Sequence, residues 1–347
     1  MSIDATRGSL LITLLLITSP LLAGDLNPPG APAPTPGPEP RIAINDANTP
    51  GTADSVHVIT DQGSYYLEDD ITIGSAAKNG IVIEASNVTL DLNGFRVDGR
   101  ELIPLPWVGR DLEISLDGIL ASGEVENITI RNGTVRDWGH DGIDLWGATG
   151  VRLVDLTVMN GGIDGITAGE ACVVSQCVAE GNDGTGIRVG GRGVITGCVS
   201  QGNEGEGFVV GSSNITACTA TENGGSGINA AWGSLVADCI LVDNGGDGIF
   251  LSSEGNQALR NTCYANGYPD SDGAGIEAQG HNRIEGNHVR FNDQGIRVSG
   301  GSGCLIVRNS ATENVVNYDI TGSHGVGPIV SGTAPITTTS PWANFEF

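Results

Sequence analysis

Thr185-Gly-Ile-Arg-Val-Gly-Gly-Arg-Gly-Val-Ile-Thr-Gly-Cys-Val-Ser-Gln-Gly-Asn-Glu-Gly-Glu206 is the stretch on which the fold turns. It holds three short runs, Ile187-Arg188-Val189, Val194-Ile195-Thr196 and Cys198-Val199-Ser200, broken by Gly and Asn. β-branched residues alternate within the runs, turn formers separate them, and no helical period is present. The pattern recurs. Gly-Ile or Gly-Phe falls at Gly118, Gly142, Gly165, Gly186, Gly207, Gly227, Gly248, Gly275 and Gly295, in steps of 24, 23, 21, 21, 20, 21, 27 and 20 residues. A fixed period of this size with three strands per unit predicts a solenoid, specifically a parallel β-helix of about 10–11 coils.

Cysteines report the register independently. Cys177, Cys198 and Cys239 lie 12 residues after their own Gly, Cys218 lies 11 after and Cys263 lies 15 after. Val154, 12 after Gly142, holds the same phase one coil earlier. A phase that accepts Val or Cys is interior, since free Cys behaves as a small buried hydrophobe. One ladder of reduced sulfurs is therefore expected, starting after Val154 and ending at Cys263. No CxxC or Cys/His cluster suggests a metal instead. Asn182, Asn203, Asn223 and Asn244 sit four residues before the coil's Gly and form a second ladder, because a stacked amide can bond to the rungs on both sides.

The flanks divide as follows. Residues 1–23 carry Arg7 and the apolar run Leu10 to Ala23, which reads as a cleaved secretory signal, too short and Pro-broken for a transmembrane anchor. Residues 24–40 are a Pro-rich linker. Residues 41–75 are assigned to an N-terminal cap, 76–320 to the β-helix and 321–347 to a C-terminal cap, with insertions at Gly99 to Asp117 and Gly267 to Gly273. Net charge is −25, with 54 glycines and 5% aromatics in 347 residues. Nucleic acid and anionic membrane surfaces want a basic face and are poor partners, so no nucleic-acid partner is expected. The chain is read as monomeric, and as secreted, periplasmic or cell-surface.

The rungs Asp-Gly-Ile-Xaa-Val and Ile-Thr-Gly-Cys resemble the right-handed parallel β-helix superfamily typified by pectin and pectate lyases. The resemblance covers about Gly80 to Ile320. Gly63-Ser64-Tyr65-Tyr66-Leu67, Val88 to Gly94 and Trp342-Ala343-Asn344-Phe345 resemble uncharacterised secreted bacterial β-helix proteins of the planctomycete type. These resemblances imply an all-β, right-handed parallel β-helix and export, and no particular reaction. Enzymes of the superfamily mostly act on acidic polysaccharides. Lyases of this kind use Ca²⁺ held by carboxylates and an Arg base, whereas hydrolases use paired Asp.

The outward residue of each first strand is the surface along which a glycan would lie. Coil by coil it reads Val82, Leu120, Asp144, Thr167, Arg188, Val209, Asn229, Phe250, Glu277, Arg297 and Asp319. Asp144 and Arg188 are the candidate catalytic pair. Asp144, Trp146, Thr167, Arg188, Asn229, Trp232 and Phe250 are the candidate substrate-binding set, its two indoles about four rungs or ~19 Å apart. Asp141 and Asp164 are candidate ligands for Ca²⁺, the one cofactor the reading allows. The lyase carboxylate pattern and the hydrolase Gly-His-Gly are not matched, and Gly139-His140-Asp141-Gly142 only approaches the latter. Two functions are expected to compete: a solenoid that binds polysaccharide or a surface partner, and a carbohydrate-active enzyme (lyase, hydrolase or epimerase) acting on an acidic polysaccharide. Metal handling is disfavoured, because two Met and five His leave few soft ligands.

Overall fold

A computed structural model describes residues 40–73, 78–99, 116–267, 273–332 and 336–347. The signal segment, nearly all of the Pro-rich linker and most of the two insertions lie outside the described residues. Every regular element described is a strand, and the pairings are parallel throughout. One sheet stacks twelve strands, from Ser55–Ile59 to Val316–Ile320, and the second and third strands of each coil build the other. No helix among the described residues is long and apolar enough to cross a membrane.

Spacing counts ten to eleven coils where the stack has twelve. The difference lies in the segment read as a cap, since Ser55–Ile59 pairs in register with Asn79–Ile83 and Gly63–Leu67 pairs with Val88–Asp91. At the other end Asn344–Glu346 pairs with Ser310–Thr312.

The core follows from the Gly-Ile repeat. Ile81, Ile119, Ile143, Ile166, Ile187, Phe208, Ile228, Ile249, Ile276 and Ile296 form one column in which every side chain is 0% exposed. Gly precedes these residues because space is absent there. A Cβ on Gly118 would stand 2.4 Å from the Gly142 carbonyl oxygen, and one on Gly142 2.2 Å from a Val158 methyl.

Turns set the register. Many coils turn through single left-handed residues, such as Arg192 (φ 63°), Gly197 (φ 63°) and Gly202 (φ 62°) in the coil first quoted. The residue after such a turn points inward and meets its counterparts above and below. After the third turn that counterpart is Asn. Each amide donates to the next side-chain oxygen: Asn182 to Asn203 at 2.7 Å, Asn203 to Asn223 at 2.8 Å, Asn223 to Asn244 at 2.9 Å and Asn244 to Asn266 at 2.8 Å. The ladder runs on through Asn292 to Asn314. After the second turn the backbone steps Cys177, Cys198, Cys218 and Cys239 into one column, which then changes chemistry. The Cys239 N–H donates to the Asn261 side chain at 2.9 Å, and Asn287, Asn309 and Asn344 follow.

Two expectations about the sulfurs are therefore corrected. Cys263 is not in the sulfur column; it faces Leu241 within the next strand, because its coil is longer and Asn261 takes the turn position. Val154 pairs with Ser175, and Leu156, just after the left-handed Asp155 (φ 53°), precedes Cys177, because this coil carries two extra residues between Ile143 and Arg152. All seven cysteines are free and buried. Burial pushes the Cys172 and Cys263 thiols up, which leaves little reactive thiolate.

Two outcomes follow. Asn223→Ala removes four hydrogen bonds and orphans buried donors of Asn203, so it is expected to lower unfolding free energy by ~3 kcal/mol in denaturant melts. Ellman titration of the native protein should find no reactive thiol, and denaturation should release all seven.

Candidate functional site

The outward row falls in the register expected. Val82, Leu120, Asp144, Thr167, Arg188, Val209, Asn229, Phe250, Glu277, Arg297 and Asp319 are direct partners on successive strands. Two neighbouring regions of this face differ in chemistry.

The first is acidic. Asp117, Asp141 and Asp164 each stand one residue before a coil's Gly and so stack. One oxygen of each carries the fold: Asp117 Oδ1 accepts the Asp141 N–H at 3.1 Å, Asp141 Oδ1 the Asp164 N–H at 2.9 Å, and Asp164 Oδ1 the Thr185 N–H at 2.6 Å. In Asp141 and Asp164 the other oxygen faces the stripe. Thr167 Oγ1 lies 3.2 Å from Asp141 Oδ2 and 2.9 Å from Asp144 Oδ1, and Arg188 Nε donates to Asp164 Oδ2 at 2.8 Å. Arg188 Nη2 donates to Thr185 Oγ1 at 2.7 Å. Asp117, Asp141 and Asp144 each offer an oxygen within 4.8 Å of the others, and His140 Nδ1 is 3.8 Å from Asp117.

Burial raises the Asp141 carboxyl to about 6, and the carboxylates of Asp164, Asp144 and Asp117 add to the shift. Asp117 is raised for the same reason, burial first. Of the two aspartates read as cation ligands, Asp141 belongs to the group of three. Asp164 does not, because Arg188 and Thr185 occupy its oxygens. Hard oxygen ligands of this kind suit Ca²⁺.

The second region is a groove of about 890 Å³ lined by Trp146 on one coil, by Trp232 further along and by Ser252 and Ser253 on the coil beyond it. Both indoles are exposed, 55% and 73%. Gly169, Gly190, Gly191 and Gly211 form a floor without side chains, and Arg188, Asn229, Ser212, Ser252 and Ser253 supply polar groups. The Trp232 ring lies over Gly211, where an added Cβ would come within 3.2 Å of it. Trp232 also sits at φ 52°, the turn position that Ala171, Arg192 and Ser212 fill in earlier coils. A bulky aromatic there costs ~1 kcal/mol and, at 73% exposed, returns little burial.

The sequence-predicted residues thus separate. Trp146, Arg188, Asn229 and Trp232 line the groove, Asp144 joins it to the acidic group through the Trp146 N–H at 2.9 Å, and Phe250 stands half-buried one rung beyond Asn229. Thr167 is only 5% exposed, its hydroxyl committed to the two aspartates, which leaves no surface for a ligand. Asp117 and the glycine floor were not singled out from the sequence. The Asp-Gly-Ile spacing does carry Asp117, since it places that residue directly below Asp141.

The chain matches the family described as the right-handed β-helix region, at residues 54–216, 166–312 and 212–338, and it belongs to that family. No curated protein sequence matches it. Among solved structures it is similar to the A-module of the Azotobacter vinelandii mannuronan C-5 epimerase AlgE6. The TM-score is 0.58 at 17% identity, covering 88% of this chain and 86% of that one. The AlgE4 A-module of the same organism gives 0.55 at 17% identity, with 88% and 89% covered. The Dettilon tailspike protein gives 0.53 at 15%, with 84% and 60% covered. At such identities these likenesses speak for the fold alone.

Asp141 gives the site a pH signature. Its folded pKa lies above the unfolded value of ~3.9, so the stability tied to its proton is present below pH ~4 and lost as pH rises through 6. Asp141→Asn is therefore expected to gain about 2 kcal/mol over the parent at pH 7.5 and nothing at pH 4. Denaturant melts of both proteins across this range check it.

Proposed function

We propose that the protein binds a polysaccharide chain, laid along the axis of the β-helix in the groove from Trp146 to Trp232, and that it does so outside the cell, where residues 1–23 would direct it. The observation that carries this reading is Trp232. The fold loses stability by holding an indole in a left-handed turn, and the ring stays 73% exposed above a glycine floor. Glycine backbone and short apolar side chains such as Val209 between two exposed indoles suit the apolar faces of pyranose rings. Arg188, Asn229 and the serines are placed for sugar hydroxyls. One rung, ~4.8 Å, is comparable to one sugar unit, so successive rings would meet equivalent backbone.

A carbohydrate-active enzyme is the second reading, and Asp141 favours it. A carboxyl that burial raises to about 6, with the Asp144 carboxylate within 4.8 Å, is placed to act as a proton donor beside a second carboxylate. Arg188 is a poor proton acceptor in such a reaction, because Asp164 holds its guanidinium. In this reading Asp144→Asn abolishes turnover of a bound glycan, followed as new reducing ends or as unsaturated product, and leaves its affinity in place.

Trp232→Gly separates a binding role from a structural one. Glycan affinity, read by titration calorimetry, should fall on the order of tenfold, while the melting temperature stays level or rises. Trp146→Ala should weaken binding similarly. Unchanged affinity in both variants would remove the groove from consideration.

A further inference from the structure

Resting on that reading, we infer that the groove selects uncharged glycans and turns uronate chains away. Two charged side chains line it, Glu170 and Arg188, and each is already paired with an opposite charge. Arg188 spends Nε on Asp164 Oδ2 at 2.8 Å and Nη2 on Thr185 Oγ1 at 2.7 Å. Glu170 is paired with Arg192 at the exposed rim. At the Trp146 end, Asp144 takes the Trp146 N–H, with Asp117 and Asp141 oxygens within 4.8 Å.

A carboxylate on the ligand would meet this end as a like charge, or would share a guanidinium whose charge Asp164 already balances. Both are unfavourable in a site partly withdrawn from water. The chain as a whole carries −25, so the long-range field opposes a polyanion as well. Set among apolar side chains such as Val209 and Ala231, the other polar side chains of the lining are hydroxyl and amide: Ser212, Asn229, Ser252 and Ser253. Such groups match sugar hydroxyls and gain nothing from ligand charge. The guanidinium N–H groups not held by Asp164 and Thr185 can donate to a neutral hydroxyl with the ion pair intact.

Gly191 supplies an independent handle. An added Cβ there meets no atom within 4 Å, and its φ is not left-handed, so a side chain would project into open groove without disturbing the coil. Gly190 differs, since its Cβ would stand 3.0 Å from the Gly169 backbone.

The test is calorimetric titration of the full chain with hexasaccharides of one length. Neutral gluco-, manno- and galacto-hexaoses are set against hexagalacturonate and hexamannuronate, each in EDTA and again with added CaCl₂. At least one neutral hexaose should bind, with an affinity flat in NaCl, and the uronates should bind on the order of tenfold more weakly or not at all in both buffers. Gly191→Leu should abolish neutral binding at an unchanged melting temperature. A uronate that binds as tightly as the best neutral hexaose, in either buffer, overturns the selectivity. If that binding still falls in Trp232→Gly, the groove reading survives. Failure of every hexaose to bind, or full binding by Gly191→Leu, overturns the groove reading and the selectivity with it.

Discussion

The hydrogen bond from one rung to the next through a buried side chain is the interaction on which the rest of the structure depends. Parallel strands of three residues are too short to hold register by themselves. Here each coil is pinned at its turns, where an inward Asn or Ser receives a backbone N–H of the neighbouring coil, as in Asn182 to Asn203 or Gly193 to Ser213. In a medium that excludes water an unmade bond of this kind costs more than a made one contributes, so a one-residue slip would orphan a column of donors at once. With the turns fixed, the outward residue of every first strand stands above its predecessor.

That constraint also sorts residues by what they are for. Asp117, Asp141 and Asp164 could be turn residues and no more, and their Oδ1 atoms do act so. The Oδ2 atoms of Asp141 and Asp164 are not needed by the turns and reach Thr167 and Arg188 on the stripe. Trp232 contrasts with Trp138, which is 2% exposed, donates from its indole to the Val97 carbonyl at 3.0 Å and packs the core. Trp232 takes up a strained backbone and buries little. A residue that costs the fold stability and returns none is best explained by a ligand.

Much of this was legible in the sequence, because a solenoid converts linear spacing into spatial rows. The Gly-Ile repeat placed the buried column, and the outward stripe matched the pairing at every position. Legibility failed where coil length varied or backbone and burial entered. Counting from Gly put Cys263 in the sulfur column, while the longer coil brought Asn261 there. The same count chose Val154 over Leu156, because that coil carries two extra residues between Ile143 and Arg152. Thr167 looked available on the stripe, yet Asp141 and Asp144 close over it. No spacing rule reveals that Trp232 is left-handed or that Asp164 neutralises Arg188. Those follow from the turn's geometry and from which carboxylate oxygen remains unoccupied.

The central claim is that the face between Trp146 and Trp232 contacts the glycan, and hydroxyl-radical footprinting tests it with an internal control. Three described indoles are exposed: Trp146, Trp232 and, near the C-terminus, Trp342 at 48%. With the best-binding hexaose at saturation, oxidation of Trp146 and Trp232 should fall several-fold while Trp342 reacts as before. Protection of Trp342, or of the exposed Tyr264 and Phe291 pair, with Trp146 and Trp232 unprotected would contradict the account.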